Sequence, residues 1–439
     1  DIHQHQREPL IVEPAWVDAL TGLSSRAFFE RRLGQALERA RAESGTLAVL
    51  FLDLDRFKMV NDSMGHSAGD EILRSAARRV RTQLRDSDVA ARLGGDEFTL
   101  LLAPLHDPAE ALRIAQRIQK SLAQPFSIYG SQLFASASIG IALCVGGRAG
   151  AEELLRDADT AKSSAKAQGP GQVCLFDPSM HTQARDALQL ENDLRRALEK
   201  NELHVHFQPV VSLETGEVRS MEALARWDHP RQGAIPPGRF IRVAEQTGLI
   251  SQLGEFVLFE ACREVARLTE PRRTPLGVSV NLSALQLALP DLVSRVAAIL
   301  NRSGLDPRLL QLEVTETALV AQGETAARRL RELRQMGASV AMDDFGTGYS
   351  SLSYLHRFPL DVLKLDMSFV RGLGSDDRTT QIVHTVVMLA RNLGLEVVAE
   401  GVDRPEQART LRLLGCNFAQ GFLYSPAVAM GEARRMFSF

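Results

Sequence analysis

Met342-Asp343-Asp344-Phe345-Gly346-Thr347-Gly348-Tyr349-Ser350-Ser351 is the stretch from which the C-terminal half is read. The apolar run 338–342 before the acids has the make-up of a buried strand. Two adjacent aspartates close it, and two glycines then give a tight, adaptable loop. A carboxylate pair at a strand end beside a Gly loop suits divalent cations and a phosphate ester. An isolated Asp-Asp pair is more often a solvated turn. The weight therefore rests on what surrounds this one.

From His204 onward, short apolar runs alternate with longer helical patterns to the end of the chain. That pattern predicts a parallel α/β fold, and its length fits one (β/α)8 barrel, where active groups gather at the C-terminal ends of strands. Acids, amides and one lysine recur at such ends: Glu222, Asn281, Glu313, Asp343, Asp344, Lys364, Glu400 and Gln420. So many acids around one mouth would repel strongly without cations. Two divalent ions would neutralise them and create a hydroxide nucleophile, the in-line arrangement of two-metal phosphodiester hydrolysis.

These residues also carry a resemblance. Glu222-Ala223-Leu224, Asn281-Leu282-Ser283, Glu313-Val314-Thr315-Glu316, the stretch 343–351, Lys364-Leu365-Asp366, Glu400-Gly401-Val402 and Gln420-Gly421-Phe422-Leu423 together resemble the EAL family of cyclic di-GMP phosphodiesterases. The resemblance implies metal ligation by Glu222, Asn281, Glu313, Asp343 and Asp344, with Mg²⁺ or Mn²⁺ as the ions. It implies that Lys364 holds the attacking water and that Glu400 is either the general base or a ligand of the second metal. Gln208, Arg226 and Gln420 would contact the substrate, and Glu316 would brace the loop 343–351. Asp403 and Asn417 stand where the family often has Glu and Asp.

The first half predicts a helix over 26–42, a buried strand over 46–53 ending in acid, a loop over 61–66, and a helix from Gly69-Asp70 to Arg85. Residues 89–93 and 97–103 read as a hairpin joined at Gly94-Gly95-Asp96. Two glycines supply the backbone angles such a turn needs and let a phosphate approach closely. With the hairpin beside the strand ending at Asp53, Asp53 and Asp96 would share a divalent ion, and Mg²⁺ suits such oxygen ligands.

Gly94-Gly95-Asp96-Glu97-Phe98 resembles the signature of the GGDEF (diguanylate cyclase) family, letter for letter. Asp18-Ala19-Leu20-Thr21-Gly22-Leu23, Asp53-Leu54-Asp55-Arg56-Phe57-Lys58, Asn61-Asp62, Gly65-His66 and Gly69-Asp70 support it. The resemblance implies a nucleotidyl-cyclase palm-like α+β domain. Asp53, Asp96 and Glu97 would hold metals, Asn61 and Asp70 would read guanine, and Lys58 and Lys166 would neutralise the triphosphate of GTP. Each active site would form between two such domains. Arg85 and Asp88 match the family's product-inhibition site. The last helix departs from the family: an apolar-aromatic Leu-Tyr pair has become Lys162-Ser163, and an expected arginine is Pro170. Losing that charge-assisted phosphate contact costs about 1.5–3 kcal/mol of binding.

The expected organisation is therefore an α/β chain of two domains, and 439 residues are too many for one ordinary core. We expect a linker over 1–17, a GGDEF domain over 18–178, a helical connector over 179–190 and an EAL domain over 191–439. Formal net charge is −3, which does not suggest nucleic-acid binding. Four scattered cysteines without a C-x-x-C pair suggest neither a disulfide framework nor a zinc site, and favour a reducing, cytoplasmic setting. No apolar run is long enough to cross a bilayer, and the start at Asp1 leaves room for a sensory region upstream. The expected partners are cyclic di-GMP, GTP and a second copy of the chain. The leading expectation is hydrolysis of cyclic di-GMP to pGpG, with the GGDEF half as a GTP-binding regulator. The alternatives are a bifunctional enzyme that also condenses two GTP, and a non-catalytic receptor.

Overall fold

A computed structural model of the protein describes residues 16–200, 202–269, 275–346, 357–373 and 377–437. The chain divides into two compact units, 1–186 and 187–439.

In the first unit, strands β1 (Thr46–Leu54), β2 (Val89–Gly94), β3 (Glu97–Leu105), β6 (Ala137–Val145) and β7 (Val173–Leu175) form one sheet in the order β2-β3-β1-β6-β7. Strands β4 (Phe126–Ile128) and β5 (Ser131–Leu133) form a separate hairpin. The central strand β1 is apolar on both faces because helices cover both. Its Ala48, Leu50 and Leu52 join a core with Ile72, Val80, Ile114 and Ile118 of helices His66–Arg81 and Ala109–Leu122. Its Leu47, Val49 and Phe51 join Phe29, Leu33 and Leu154 of helices Arg26–Glu43 and Ala151–Ala167. β1 pairs antiparallel with β3, and Asp53 stands opposite Glu97. This is the placement that the hairpin reading required.

Two sequence expectations need correction here. Residues 61–64 belong to a helix, Phe57–Met64, and not to a loop; the break is confined to Gly65, whose φ of 83° only glycine adopts without strain. The following helix starts at His66 and ends at Arg81, four residues short of Arg85.

The second unit is a closed barrel. Its ring runs β8 (Leu203–Ser212), β9 (Val218–His229), β11 (Gly277–Asn281), β12 (Leu310–Thr315), β13 (Ser339–Phe345), β14 (Val362–Leu365), β15 (Glu396–Ala399) and β16 (Phe418–Ala419), then back to β8. Strands β10 (Gly233–Ile235) and β17 (Val428–Ala429) add short pairings to β9 and β8. The alternation of patterns predicts a parallel barrel, and the barrel departs from that at one strand. β8 runs antiparallel to both β9 and β16, because β8 and β9 are joined as a hairpin across residues 213–217. In helix Ser179–Ala197, Leu188 is exposed, while Leu190 and Leu194 are buried against the barrel core. No helix among the described residues is long and apolar enough to cross a membrane.

Candidate functional site

The barrel strands bring the sequence-predicted acids together through register. Gln208 stands opposite Glu222 across β8 and β9. Asn281 stands beside Glu313 across β11 and β12, and Thr315 beside Asp343 across β12 and β13. Side chains alternate along a strand, so Glu222 and Arg226, four residues apart on β9, share a face. The β13–β14 ladder shifts register between Met342 and Phe345, and Asp344 takes the left-handed conformation with φ 55°. A bulge of this kind re-aims side chains, and it lets two successive aspartates serve one site. One carboxylate oxygen from each of Asp343, Asp344 and Glu400 falls within 4.8 Å of the others.

Lys364 organises the interior. Its Nζ lies 2.6 Å from Glu313 Oε2, 2.6 Å from Glu400 Oε1, 3.3 Å from Asp343 Oδ1 and 3.5 Å from Glu222 Oε2. Asn281 Nδ2 donates to Glu222 Oε1 at 2.8 Å, and Gln420 Nε2 donates to Glu222 Oε2 at 2.7 Å and to Gln208 Oε1 at 2.9 Å. Burial opposes ionisation of Glu222, but Lys364 and the two amide donors outweigh it and hold this carboxyl below its ordinary range. Glu313 has only one long amide contact, from Gln311 Nε2 at 3.5 Å. Burial, and then the neighbouring Glu222 charge, push it up to about 8 despite Lys364. Burial likewise raises Glu400 to about 7. Burial works against the Lys364 charge, yet the surrounding carboxylates hold its pKa well above the ordinary value.

The donor set fits divalent cations. Its carboxylates are hard oxygen ligands, and Gln420 Oε1 is buried with no hydrogen-bond partner. Five carboxylates, Glu222, Glu313, Asp343, Asp344 and Glu400, face one ammonium, so four formal negative charges remain. That deficit equals the charge of two divalent ions. Glu316 is buried at the start of helix Glu316–Gln335. Of the loop it is expected to brace, residues 347–351 lie outside the described residues.

The chain belongs to the EAL family. The EAL domain model matches residues 191–427, and the model for the diguanylate cyclase, GGDEF domain, matches residues 15–172 ahead of it. The chain is 44% identical over 413 residues to the bifunctional diguanylate cyclase/cyclic di-GMP phosphodiesterase MucR of Pseudomonas aeruginosa, covering 94% of this chain and 60% of that protein. It is 42% identical over 425 residues to the cyclic di-GMP phosphodiesterase NbdA of the same organism, covering 96% of this chain and 54% of that one. The chain thus spans little more than half the length of these relatives. Among solved structures, the PaMucR phosphodiesterase in complex with c-di-GMP is 44% identical with a TM-score of 0.54, covering 56% of this chain and 99% of that one.

The GGDEF half places its predicted residues less uniformly. Asp53 and Glu97 face each other on β1 and β3, and the Asp96 charge is close enough to act on Asp53. Lys166 Nζ lies 2.6 Å from Asp53 Oδ1, a close ion pair at a poor angle for a hydrogen bond. Glu97 is held by Lys162 at 2.8 Å. Asn61 Oδ1 is buried without a partner, and it occupies the space that a side chain at Gly69 would fill. Asp70 follows that glycine, while Lys58 is exposed on helix Phe57–Met64. Asp88 Oδ2 accepts from the Arg85 backbone at 3.0 Å, and the Arg85 guanidinium pairs with Glu110.

Sequence reasoning missed Arg92. Its guanidinium donates twice to Gly95 O, at 2.9 and 2.7 Å, and reaches Asp18 at 3.3 Å, tying the Gly94-Gly95 turn to the 18–23 turn. An arginine inside a strand pattern gives no local sign of that span.

Proposed function

We propose that the EAL barrel hydrolyses cyclic di-GMP to linear pGpG with Mg²⁺ or Mn²⁺, and that the GGDEF domain binds GTP and regulates it. The observation that carries the reading is the set of four carboxylates, Glu222, Glu313, Asp343 and Glu400, centred on Lys364, with Asp344 beside them. Divalent ions bound there supply Lewis acidity and lower the pKa of water.

The chain's own groups do the rest. Glu222, Asn281, Glu313, Asp343 and Asp344 hold the ions. Lys364 orients the attacking water. Glu400, raised to about 7, is suited to take its proton at neutral pH, or serves as a further ligand. Water adds to phosphorus, one ester P–O bond breaks, and the leaving oxygen gains a proton. Gln208, Arg226 and Gln420 hold the dinucleotide, and Glu316 positions the loop after Asp344. In the GGDEF domain, Lys58, Asn61, Asp70 and Lys166 receive GTP beside Asp53, Asp96 and Glu97; the partnerless Asn61 Oδ1 supports this. Arg85 and Asp88 form the inhibitory site. The domains extend over 18–178 and 191–439 with a connector at 179–190, in a cytoplasmic homodimer.

Product chromatography tests this reading. The chain is incubated with cyclic di-GMP and Mg²⁺ or Mn²⁺, with and without GTP, and with GTP alone. Appearance of pGpG at a GTP-dependent rate is expected. Persistent cyclic di-GMP in every metal overturns the hydrolase reading. New cyclic di-GMP from GTP alone would establish the bifunctional alternative, which the MucR likeness favours.

A further inference from the structure

Lys162 lies within helix Ala151–Ala167, yet it is only 6% exposed. The helix is pressed onto β6 at Gly140, where an added Cβ would meet the Ala161 carbonyl carbon at 2.7 Å. That close approach delivers the Lys162 side chain to the end of the sheet. Its ammonium lies 4.2 Å from the centroid of the Phe51 ring, 2.8 Å from Glu97 Oε1 and 2.7 Å from Asp159 Oδ1. Burial of an isolated ammonium is strongly unfavourable. Two carboxylates and an aromatic face offset that cost here.

Lys166 follows one turn later on the same helix face and pairs with Asp53. Asp53 and Glu97, opposite one another on β1 and β3, are therefore each held by a separate lysine. The charge balance differs from that of the barrel. Asp53, Asp96, Glu97 and Asp159 face two ammoniums, which leaves two formal negative charges against four in the barrel. Among the described residues, the acids that converge within 4.8 Å are those of the barrel and not these four. The arrangement does not fit a pair of divalent ions unless a lysine is displaced.

We propose that Lys162 is a resident cation of the GGDEF site: its ammonium takes the neutralising place of a divalent ion beside Glu97, so that this site binds a guanosine triphosphate with little dependence on divalent cations. The inference rests on the GTP reading above and deepens it. It also gives a physical reason for regulation in place of synthesis, since a lysine cannot bridge and polarise phosphate oxygens as a metal does.

The test is calorimetric titration of the full chain with a non-hydrolysable GTP analogue, in EDTA and in saturating Mg²⁺. For the natural chain and Lys162→Arg, the two affinities are expected to differ by less than about tenfold. For Lys162→Leu and Lys162→Met, Mg²⁺ is expected to tighten binding by about tenfold or more, because a metal now takes the vacated place. A natural chain that already gains tenfold from Mg²⁺ overturns the proposal without any variant. So do Leu and Met variants with the natural chain's Mg²⁺ response, and in both cases GTP binding itself stands. Absence of nucleotide binding in every form and condition overturns the GTP reading and this inference together.

Discussion

The Lys364 ammonium lies 2.6 Å from the Glu400 carboxylate, in the middle of the barrel's acidic cluster. The same ammonium lies 2.6 Å from Glu313, and its side chain is 2% exposed. One fixed cation therefore bridges four of the cluster's carboxylates. Its removal should leave buried carboxylates uncompensated, which costs about 3–5 kcal/mol when one partner of a buried pair is lost. Lys364→Met is expected to lower the melting temperature of the barrel in EDTA, with Mn²⁺ restoring part of the loss. Its hydrolysis should fall by about 100-fold or more even in Mn²⁺, because the donor proposed to orient water is gone. A melting curve in EDTA identical to that of the natural chain would refute the central role of this ammonium.

Metal binding should be linked to protons. Glu313 is pushed up to about 8 and Glu400 to about 7, against an ordinary value of 4.5, so at pH 6 both carboxyls hold protons in the metal-free fold. A divalent ion favours the ionised forms and releases those protons. The sign follows: metal affinity rises with pH through the range 6–8 and levels off above it. Titration of Mn²⁺ in buffers of different ionisation enthalpy checks this. Proton release is expected at pH 6.5 and should vanish near pH 9.

Glu222 sits where three amide or ammonium groups meet, and Asn281, Gln420 and Lys364 all touch it. Glu222→Ala is expected to lose a metal ligand and with it hydrolysis, by about 100-fold or more, while the barrel still folds. Circular dichroism and product chromatography on one preparation separate the two effects. Retained turnover in a folded variant would refute the metal role.

The sequence made the acids legible but not their geometry. Glu222, Glu313, Asp343 and Glu400 were marked by their place in apolar runs, because a buried strand advertises any acid it carries. The antiparallel β8 was not legible: its alternating and apolar stretches read alike in either direction, and only pairing to β9 and β16 fixes it. The Asp344 bulge was equally hidden, since positive φ at an aspartate leaves no trace in composition. Lys162 was visible only as a departure from a family pattern. That its stem would cross Phe51 to reach Glu97 depends on the tight helix contact at Gly140. The helix boundary at Arg81 is not legible because Thr82-Gln83-Leu84-Arg85 suits a helical surface as well as a turn.

Gly421 gives the last prediction. The residue follows Gln420, whose amide bridges Glu222 and Gln208. A Cβ at Gly421 would overlap the Val402 backbone, with the carbonyl carbon 2.7 Å away and the carbonyl oxygen and amide nitrogen closer still. Backbone cannot rotate out of the way as a flexible side chain does. Val402 N donates to Gln420 O at 3.0 Å and Leu423 N donates to Val402 O at 3.0 Å, so the two segments are also locked by hydrogen bonds. Gly421→Ala must push them apart, at a cost of about 1–3 kcal/mol for overpacking a close contact. The displacement acts first on Gln420 and through it on Glu222. Hydrolysis is therefore expected to fall more than tenfold, roughly the effect of misplacing a supporting partner of a metal ligand, while melting shifts by only a few degrees. Gly431→Ala is the control, since its Cβ would meet nothing within 4 Å. Equal activity in the two variants would show that the Gln420 bridge does not position Glu222.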